Sequence, residues 1–209
     1  MKKWIALSLT TFCMFWFSYL KTAVSAEKNA DRILIAYFTI SKNVDTSQID
    51  PNVDATTMSS IVIPNMELVA RYIHSVVGGT FFSIETEKKY PVGVEELNGI
   101  GYEERDANAR PTLKTHVENM NDYDTIFLTY PNWCGTIPMA VATFLEEYDF
   151  SEKKLILSCT SFGSGFGESV RDVENFCPGA VVVQGYLGSG RNTRQAEQEV
   201  VARLKELDL

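Results

Sequence analysis

Two short segments of the chain combine aromatic, thiol and glycine residues where turn formation alone would need only small polar ones. The first, YPNWCGT, spans residues 130–136 and sets Trp133 and Cys134 between a proline and a glycine. The indole offers a flat apolar wall to a ligand, although a place in the core would explain it equally well. The second, TSFGSGF, spans residues 160–166, and its glycines allow the backbone to fold closely around a ring and direct N–H groups at its heteroatoms.

A third segment, residues 39–64, is polar and too long for an ordinary connection between a strand and a helix. It is rich in hydroxyl and amide side chains, namely Thr39, Ser41, Asn43, Thr56, Thr57, Ser59 and Ser60, and Asn65 follows it. It leads into a predicted helix whose free N–H groups and dipole favour an anion. Because Lys42 is its only basic residue, the composition suits a phosphate monoester held by neutral donors. A disordered polar insertion is the alternative for its middle.

Alternating apolar and amphipathic stretches predict the elements that must position these segments. Near-continuous apolar runs predict buried parallel strands at residues 32–38, 80–85, 125–130, 154–159 and 180–185. Apolar spacing and end signals predict helices at residues 66–77, 138–148, 168–176 and 193–207, with irregular structure over residues 87–115. This order predicts one three-layer α/β domain on a five-stranded parallel sheet with right-handed crossovers.

The three segments follow the first, third and fourth predicted strands. In open parallel sheets the ligand binds beyond the carboxyl ends of the strands, at the point where the strand order reverses. The segments are therefore expected to converge, and together they predict a site for a flat aromatic ligand that carries a phosphate.

Two of these segments also carry a family resemblance. The stretch YPNWCGTIPMAVATFLEEYDF resembles the Tyr-Pro-x-Trp-x-Gly-x-x-Pro loop and following helix of the flavodoxin-like family, and CTSFGSGFGESVRDVENFCPGA resembles its Thr-x-x-Gly-Ser-Gly-Phe loop. The first strand, ILIAYF, is similar as well, and the resemblance covers about residues 31–207. It implies the flavodoxin strand order 2-1-3-4-5, with FMN bound at the switch point between the first and third strands.

The resemblance also implies roles for individual residues. Members of the phosphate loop would be Thr39, Ser41, Asn43 and Asn65. The isoalloxazine would be flanked by Pro131, Asn132, Trp133, Cys134 and Gly135, and the opposite loop would comprise Thr160, Ser161, Gly163, Gly165 and Phe166.

The chain departs from the family pattern in both parts of this implied site. The family's phosphate loop runs Ser/Thr-x-Thr-Gly-Asn-Thr directly into the helix, whereas this chain inserts about 20 residues between Asn43 and Asn65, and Pro64 stands where the family has its glycine. Met66 stands where the family has its final threonine, and a thioether donates no hydrogen bond to a phosphate oxygen. Either the hydroxyls of the insertion replace that donor, or phosphate binding is weak. Cys134 stands where many relatives carry a second tryptophan.

The amino-terminal residues predict export. A basic start, an apolar run from Trp4 to Leu20 and small residues before position 27 form the pattern of a signal peptide over residues 1–26, leaving a domain of residues 27–209. An uncleaved membrane anchor is the alternative, and no stable membrane insertion is expected if the signal is cleaved. Cleavage removes three of the 19 basic residues and leaves 16 against 27 acidic ones, a net charge of −11. Nucleic acid is therefore an unsuitable partner, whereas a basic protein would suit this surface.

No group of residues in the sequence indicates a metal site or a catalytic pair. Cys134, Cys159 and Cys177 match no zinc-ligand spacing, and they allow at most one disulfide. His74 and His116 lie in helical-looking segments without a partner cluster and are interpreted as structural.

The leading hypothesis is therefore an exported FMN-binding electron-transfer protein with an unidentified redox partner. One alternative is an NAD(P)H-dependent quinone or flavin reductase on the same fold. Another is a non-catalytic binding domain that keeps the fold with weakened FMN binding.

Overall fold

The structure is a computed structural model that describes residues 30–45, 47, 65–190 and 195–209. The predicted signal peptide and the insertion hydroxyls of residues 56–60 lie outside the described residues.

Five strands form one parallel sheet in the order β2-β1-β3-β4-β5, which confirms the predicted fold and strand order. The strands are β1 (Ile33–Tyr37), β2 (Thr80–Ser83), β3 (Thr125–Pro131), β4 (Lys154–Ser161) and β5 (Val181–Ser189). The three central strands are almost entirely buried, as expected for strands covered by helices on both faces.

The described part of the chain contains six α-helices, of which five connect strands and the last follows β5. They are α1 (Ile40–Asn43), α2 (Asn65–Val77), α3 (Val94–Asp106), α4 (Met139–Glu147), α5 (Ser169–Phe176) and α6 (Ala196–Glu206). Helices α2, α4, α5 and α6 lie where the sequence predicts them. Helix α3 corrects the prediction of irregular structure over residues 87–115.

Successive side chains of the central strands pack into two cores, one on each face of the sheet. Leu34 and Ala36 of β1 point into the core that includes α4, whereas Ile35 and Tyr37 point into the core that includes α2 and α6. This alternation produces the three-layer arrangement. In the ranges that the structure covers, no helix is both long and apolar enough to span a bilayer.

Candidate functional site

The segments after β1, β3 and β4 meet at one edge of the sheet. The register pairs Tyr37 with Thr129 and Pro131 with Thr160, so the carboxyl ends of these three strands are neighbours. β1 lies between β2 and β3, and the chain runs outward in both directions from it, so the switch point falls between β1 and β3. The predicted convergence of the three segments at this edge follows from that register.

Asn132 fastens the segment after β3 to the segment after β4. Its Nδ2 donates to the carbonyl of Gly165 at 2.9 Å, and its Oδ1 accepts from the N–H of Gly135 at 3.1 Å. The N–H of Glu168 also donates to the carbonyl of Gly135 at 2.9 Å. A Cβ at Gly167 would collide with that same carbonyl, so a glycine is needed there for the two segments to touch. They therefore form one rigid unit.

The segment after β4 folds around the side chain of Ser161. The Ser161 Oγ is buried and accepts from the N–H groups of Gly165 at 3.0 Å and Gly163 at 3.4 Å. Gly163 has a φ of +131° and an open space where a Cβ would stand. The loop borders a cavity of about 380 Å³ lined by Ser161, Phe162, Gly163, Gly165, Leu187, Gly188 and Ser189. Phe162 is 71% exposed there, whereas Phe166 is half-buried and packs against the core.

The segment after β1 places hydroxyl groups at the same edge. Thr39 precedes the short helix α1, and its Oγ1 lies 3.3 Å from the Oγ of Ser41. Asn65 is the first residue of α2, so the helix begins where the predicted phosphate loop ends.

The structure gives Asn43 a role different from the predicted one. Its Nδ2 donates to the carbonyls of Thr39 and Ile84 at 2.9 and 3.1 Å. Its Oδ1 accepts from the N–H and the hydroxyl of Thr86 at 2.8 and 3.1 Å. The side chain is fully buried and its amide is satisfied by the protein. Asn43 therefore shapes the segment and has no amide group left to donate to a phosphate.

Met66 fills the junction between β3 and β4. Its side chain is buried, its carbonyl accepts from the hydroxyl of Thr129 at 3.4 Å, and its sulfur accepts from the hydroxyl of Thr160 at 3.8 Å. Thr160 is thereby turned toward the core. The family's threonine donor is thus replaced by an apolar contact that seals α2 onto the sheet.

Trp133 lies beneath α3, which corrects the expectation of a flat wall facing the ligand. The indole is only 7% exposed, and its ring centroid lies 5.1 Å from that of Tyr90 and 6.1 Å from that of Phe38. Its Nε1–H has no hydrogen-bond partner. The core, which is the alternative that the sequence leaves open for Trp133, is the right one, because α3 covers the indole.

Cys134 adopts a left-handed backbone conformation, with a φ of +56°. The Cys134 thiol donates to the carbonyl of Asn98 at 3.6 Å. The backbone carbonyl of Cys134 accepts from the Nη1 of Arg105 at 2.8 Å. Burial raises the pKa of the Cys134 thiol, against a smaller lowering effect of Arg105. A raised pKa makes the thiol a poor nucleophile at neutral pH, in keeping with a structural role.

Across the described ranges, no cluster of three or more histidine, cysteine or acidic side chains has the geometry of a metal site. The three cysteines of the described part are free.

The fold and the edge described above define a doubly wound α/β protein with a ligand site at its switch point. The sequence model of the flavodoxin family matches residues 94–204, which is just over half of the chain. The chain belongs to the flavodoxin family. The match includes the segments after β3 and β4 but not the segment after β1. No curated protein sequence matches the chain.

Several solved structures share the fold. A provisionally named flavoprotein from Bacteroides eggerthii has a TM-score of 0.63 and 22% identity, and the alignment covers 85% of this chain and 98% of that one. A second one, from Bacteroides uniformis, has a TM-score of 0.59 and 23% identity, and the alignment covers 81% of this chain and 97% of that one. A flavoprotein from Lactobacillus acidophilus, solved in complex with FMN, has a TM-score of 0.53 and 15% identity, and the alignment covers 81% of this chain and 99% of that one.

Proposed function

We propose that this chain is an FMN-binding electron-transfer protein that acts outside the cytoplasm. The observation that carries the proposal is the convergence of three recognition segments at the switch point of a flavodoxin sheet. FMN is the cofactor bound at that point in flavodoxins. The FMN complex of the Lactobacillus acidophilus protein, whose fold is similar, supports the same cofactor.

The residues at this edge fit FMN. Gly135 and Gly163 both have open space where a Cβ would stand, so a flat ring can approach the backbone. The hydroxyls of Thr39 and Ser41 are neutral donors of the kind that hold a phosphate monoester. Asn65 is the first residue of α2, and a helix start favours an anion through its backbone N–H groups and its dipole.

When bound, FMN supplies the redox chemistry, because a flavin accepts and returns electrons that protein side chains do not carry. The chain's own residues bind and orient it. Asn132 and Ser161 hold the two ring segments in fixed positions, and Thr39 and Ser41 would donate to the phosphate. Phe162, which lines the neighbouring cavity, would cover the ring from solvent. The acidic surface would disfavour added negative charge on a bound flavin and so would lower its reduction potential.

Export and an electron-transfer partner are parts of the same proposal. The charged start, apolar run and small residues of positions 1–26 support cleavage by a signal peptidase. Amino-terminal sequencing of the protein recovered outside its host cells tests this, and a chain that still begins at Met1 contradicts it. The net charge of −11 after cleavage, from 16 basic and 27 acidic residues, supports a basic redox partner.

A second candidate function is a flavodoxin-fold domain that binds FMN only weakly. The observation that favours it is the loss of two donors from the predicted phosphate loop, because Met66 is sealed in the core and the amide of Asn43 is used internally. A flavin or quinone reductase is tested separately: steady-state oxidation of NAD(P)H with a quinone acceptor supports it, and no turnover excludes it.

The deciding experiment compares FMN and riboflavin binding by the purified protein, followed by flavin fluorescence and absorbance. The proposal predicts that FMN binds more tightly, because only FMN engages the hydroxyl donors. Thr39→Val should weaken FMN binding about 10-fold by removing a donor to a charged group, and should leave riboflavin binding unchanged.

Thr143→Val is the matched control. Thr143 lies in α4, outside the three segments. Its hydroxyl donates to the backbone carbonyls of Pro111 and Met139. This variant should bind FMN as the unmodified protein does. A protein that takes up no FMN overturns the proposed function, and equal weak binding of both flavins supports the second candidate.

A further inference from the structure

Helix α3 rests on the segment after β3 through three contacts. The backbone of Gly101 lies so close to Trp133 and Cys134 that an added Cβ would stand 2.5 Å from the indole Nε1 and 2.8 Å from the thiol sulfur. The carbonyl of Asn98 accepts from the Cys134 thiol at 3.6 Å. The third contact is the bond from Arg105 to the carbonyl of Cys134 at 2.8 Å. It is the only one of the three that involves a full charge.

The guanidinium of Arg105 is held in one orientation by its own helix. Its Nε and Nη2 donate to one carboxylate oxygen of Asp106 at 2.9 and 2.7 Å, and its Cζ lies 5.0 Å from the centroid of the Tyr102 ring. These contacts leave Nη1 to donate to Cys134. A planar guanidinium fixed in this way directs a donor at a defined point, which a flexible ammonium does less well.

The peptide bond between Cys134 and Gly135 is the target of this donor. Cys134 has a φ of +56° and Gly135 a φ of +93°, so the chain passes through two left-handed residues, one of them with a side chain. Such a conformation is unfavourable for a non-glycine residue and persists where neighbouring groups enforce it. The peptide carbonyl is held by Arg105 and its N–H by the Oδ1 of Asn132.

We propose that Arg105 is a positioning residue for the FMN ring, which it controls by holding the Cys134–Gly135 peptide in its left-handed conformation. Arg105 lies on α3 and does not contact the ring itself; it affects the position of the ring through the backbone of residues 132–136. Without it, residues 132–136 sample other conformations, and the ring segment that Asn132 joins to the segment after β4 loses its fixed shape. The inference rests on the proposed function for its ligand, whereas the effect on the loop itself does not depend on FMN.

The test compares Arg105→Gln and Arg105→Lys with a matched control, Arg203→Gln. Arg203 also donates from a helix to backbone carbonyls, those of Gln184 and Gly185 at 2.8 and 3.2 Å, and it pairs with Glu206. Its removal costs the same kinds of bond away from the loop. Two quantities are measured: amide hydrogen exchange of residues 132–136 without FMN, and the dissociation constant for FMN. Thermal melting confirms that each variant is folded.

Arg105→Gln should accelerate exchange in residues 132–136 and weaken FMN binding, each by about 5- to 10-fold, the range expected for one ordinary intramolecular hydrogen bond at a partly exposed side chain. Arg105→Lys keeps the charge and should recover part of both effects, and Arg203→Gln should change neither. Loop exchange in Arg105→Gln equal to that of the unmodified protein overturns the inference. So does FMN binding weakened no more than in Arg203→Gln. If the unmodified protein binds no FMN, the proposed function fails, and the exchange rates alone decide whether Arg105 holds the loop.

Discussion

Gly101 and Gly99 provide a paired test of how α3 sits on the loop. Both lie within the helix, and neither has a positive φ. A Cβ at Gly101 would stand 2.5 Å from the Nε1 of Trp133, whereas a Cβ at Gly99 would have nothing within 4 Å. Alanine at the two positions therefore changes the backbone preference equally and the packing very differently.

The expected magnitudes follow from these two contributions. Replacing a mid-helix glycine by alanine stabilises a helix by about 0.5–1 kcal/mol. Forcing an extra methyl group into a packed core costs about 1–3 kcal/mol. The neighbour at Gly101 is a rigid indole buried among Phe38 and Tyr90, so the contact is relieved only by moving the helix or the ring. Gly99→Ala should therefore stabilise the protein, and Gly101→Ala should be about 1–3 kcal/mol less stable than Gly99→Ala.

Urea unfolding followed by tryptophan fluorescence measures both free energies of unfolding, and hydrogen exchange of residues 132–136 shows whether the helix still holds the loop. Gly101→Ala should also accelerate that exchange. Equal stability of the two alanine variants would refute the reasoning, because it would mean that α3 does not pack on the indole as described.

Three further predictions concern other parts of the molecule. Asn43→Ala should lower the free energy of unfolding by about 2–4 kcal/mol in a urea titration, because it leaves several buried backbone groups without partners, and a loss below 1 kcal/mol would contradict the bonding described. Burial raises the pKa of the Glu104 carboxyl above its ordinary value, so the free energy of unfolding falls as the pH rises through that folded-state pKa. Glu104→Gln should remove this fall in a pH series of melting temperatures. A pH profile that is unchanged in Glu104→Gln would contradict this prediction. Burial raises the pKa values of Cys159 and Cys177 to about 12, so alkylation of the native protein at pH 8, read by peptide mass spectrometry, should label Cys134 first, and faster labelling of either buried thiol would be inconsistent with the fold.

The sheet was predictable from the sequence because its central strands are buried on both faces and read as unbroken apolar runs such as ILIAY. Helix α3 was not, because it has little apolar periodicity. Only Leu97 and Gly101 are buried in it, two of its residues are glycines, and contacts to the loop after β3 hold it in place. Local sequence patterns predict helices that bury a stripe of apolar side chains. Helix α3 instead packs its backbone at Gly101 against Trp133 and Cys134.

The convergence of the three segments was predictable from topology alone, but the use of each side chain was not. The sequence predicts Asn43 as a ligand donor because its true partners are not visible locally. Three of its four hydrogen bonds join it to groups 41 and 43 residues away. Trp133 suited a ligand wall and the core equally well in the sequence, and the helix that decides for the core was missing from the prediction. In both cases the deciding contacts join residues that are far apart along the chain, and a pattern read in short windows does not contain them.

The bonds of Asn43 also bear on the kinetics of ligand capture. Because this side chain ties the turn after β1 to the turn after β2, the Thr39–Asn43 segment acquires its shape as the sheet forms, without help from a ligand. A segment whose shape is set by protein contacts alone loses little conformational entropy on binding. Association at this half of the site should therefore approach the rate of collision with a rigid surface, and differences in affinity among variants should arise mainly from the rate of release.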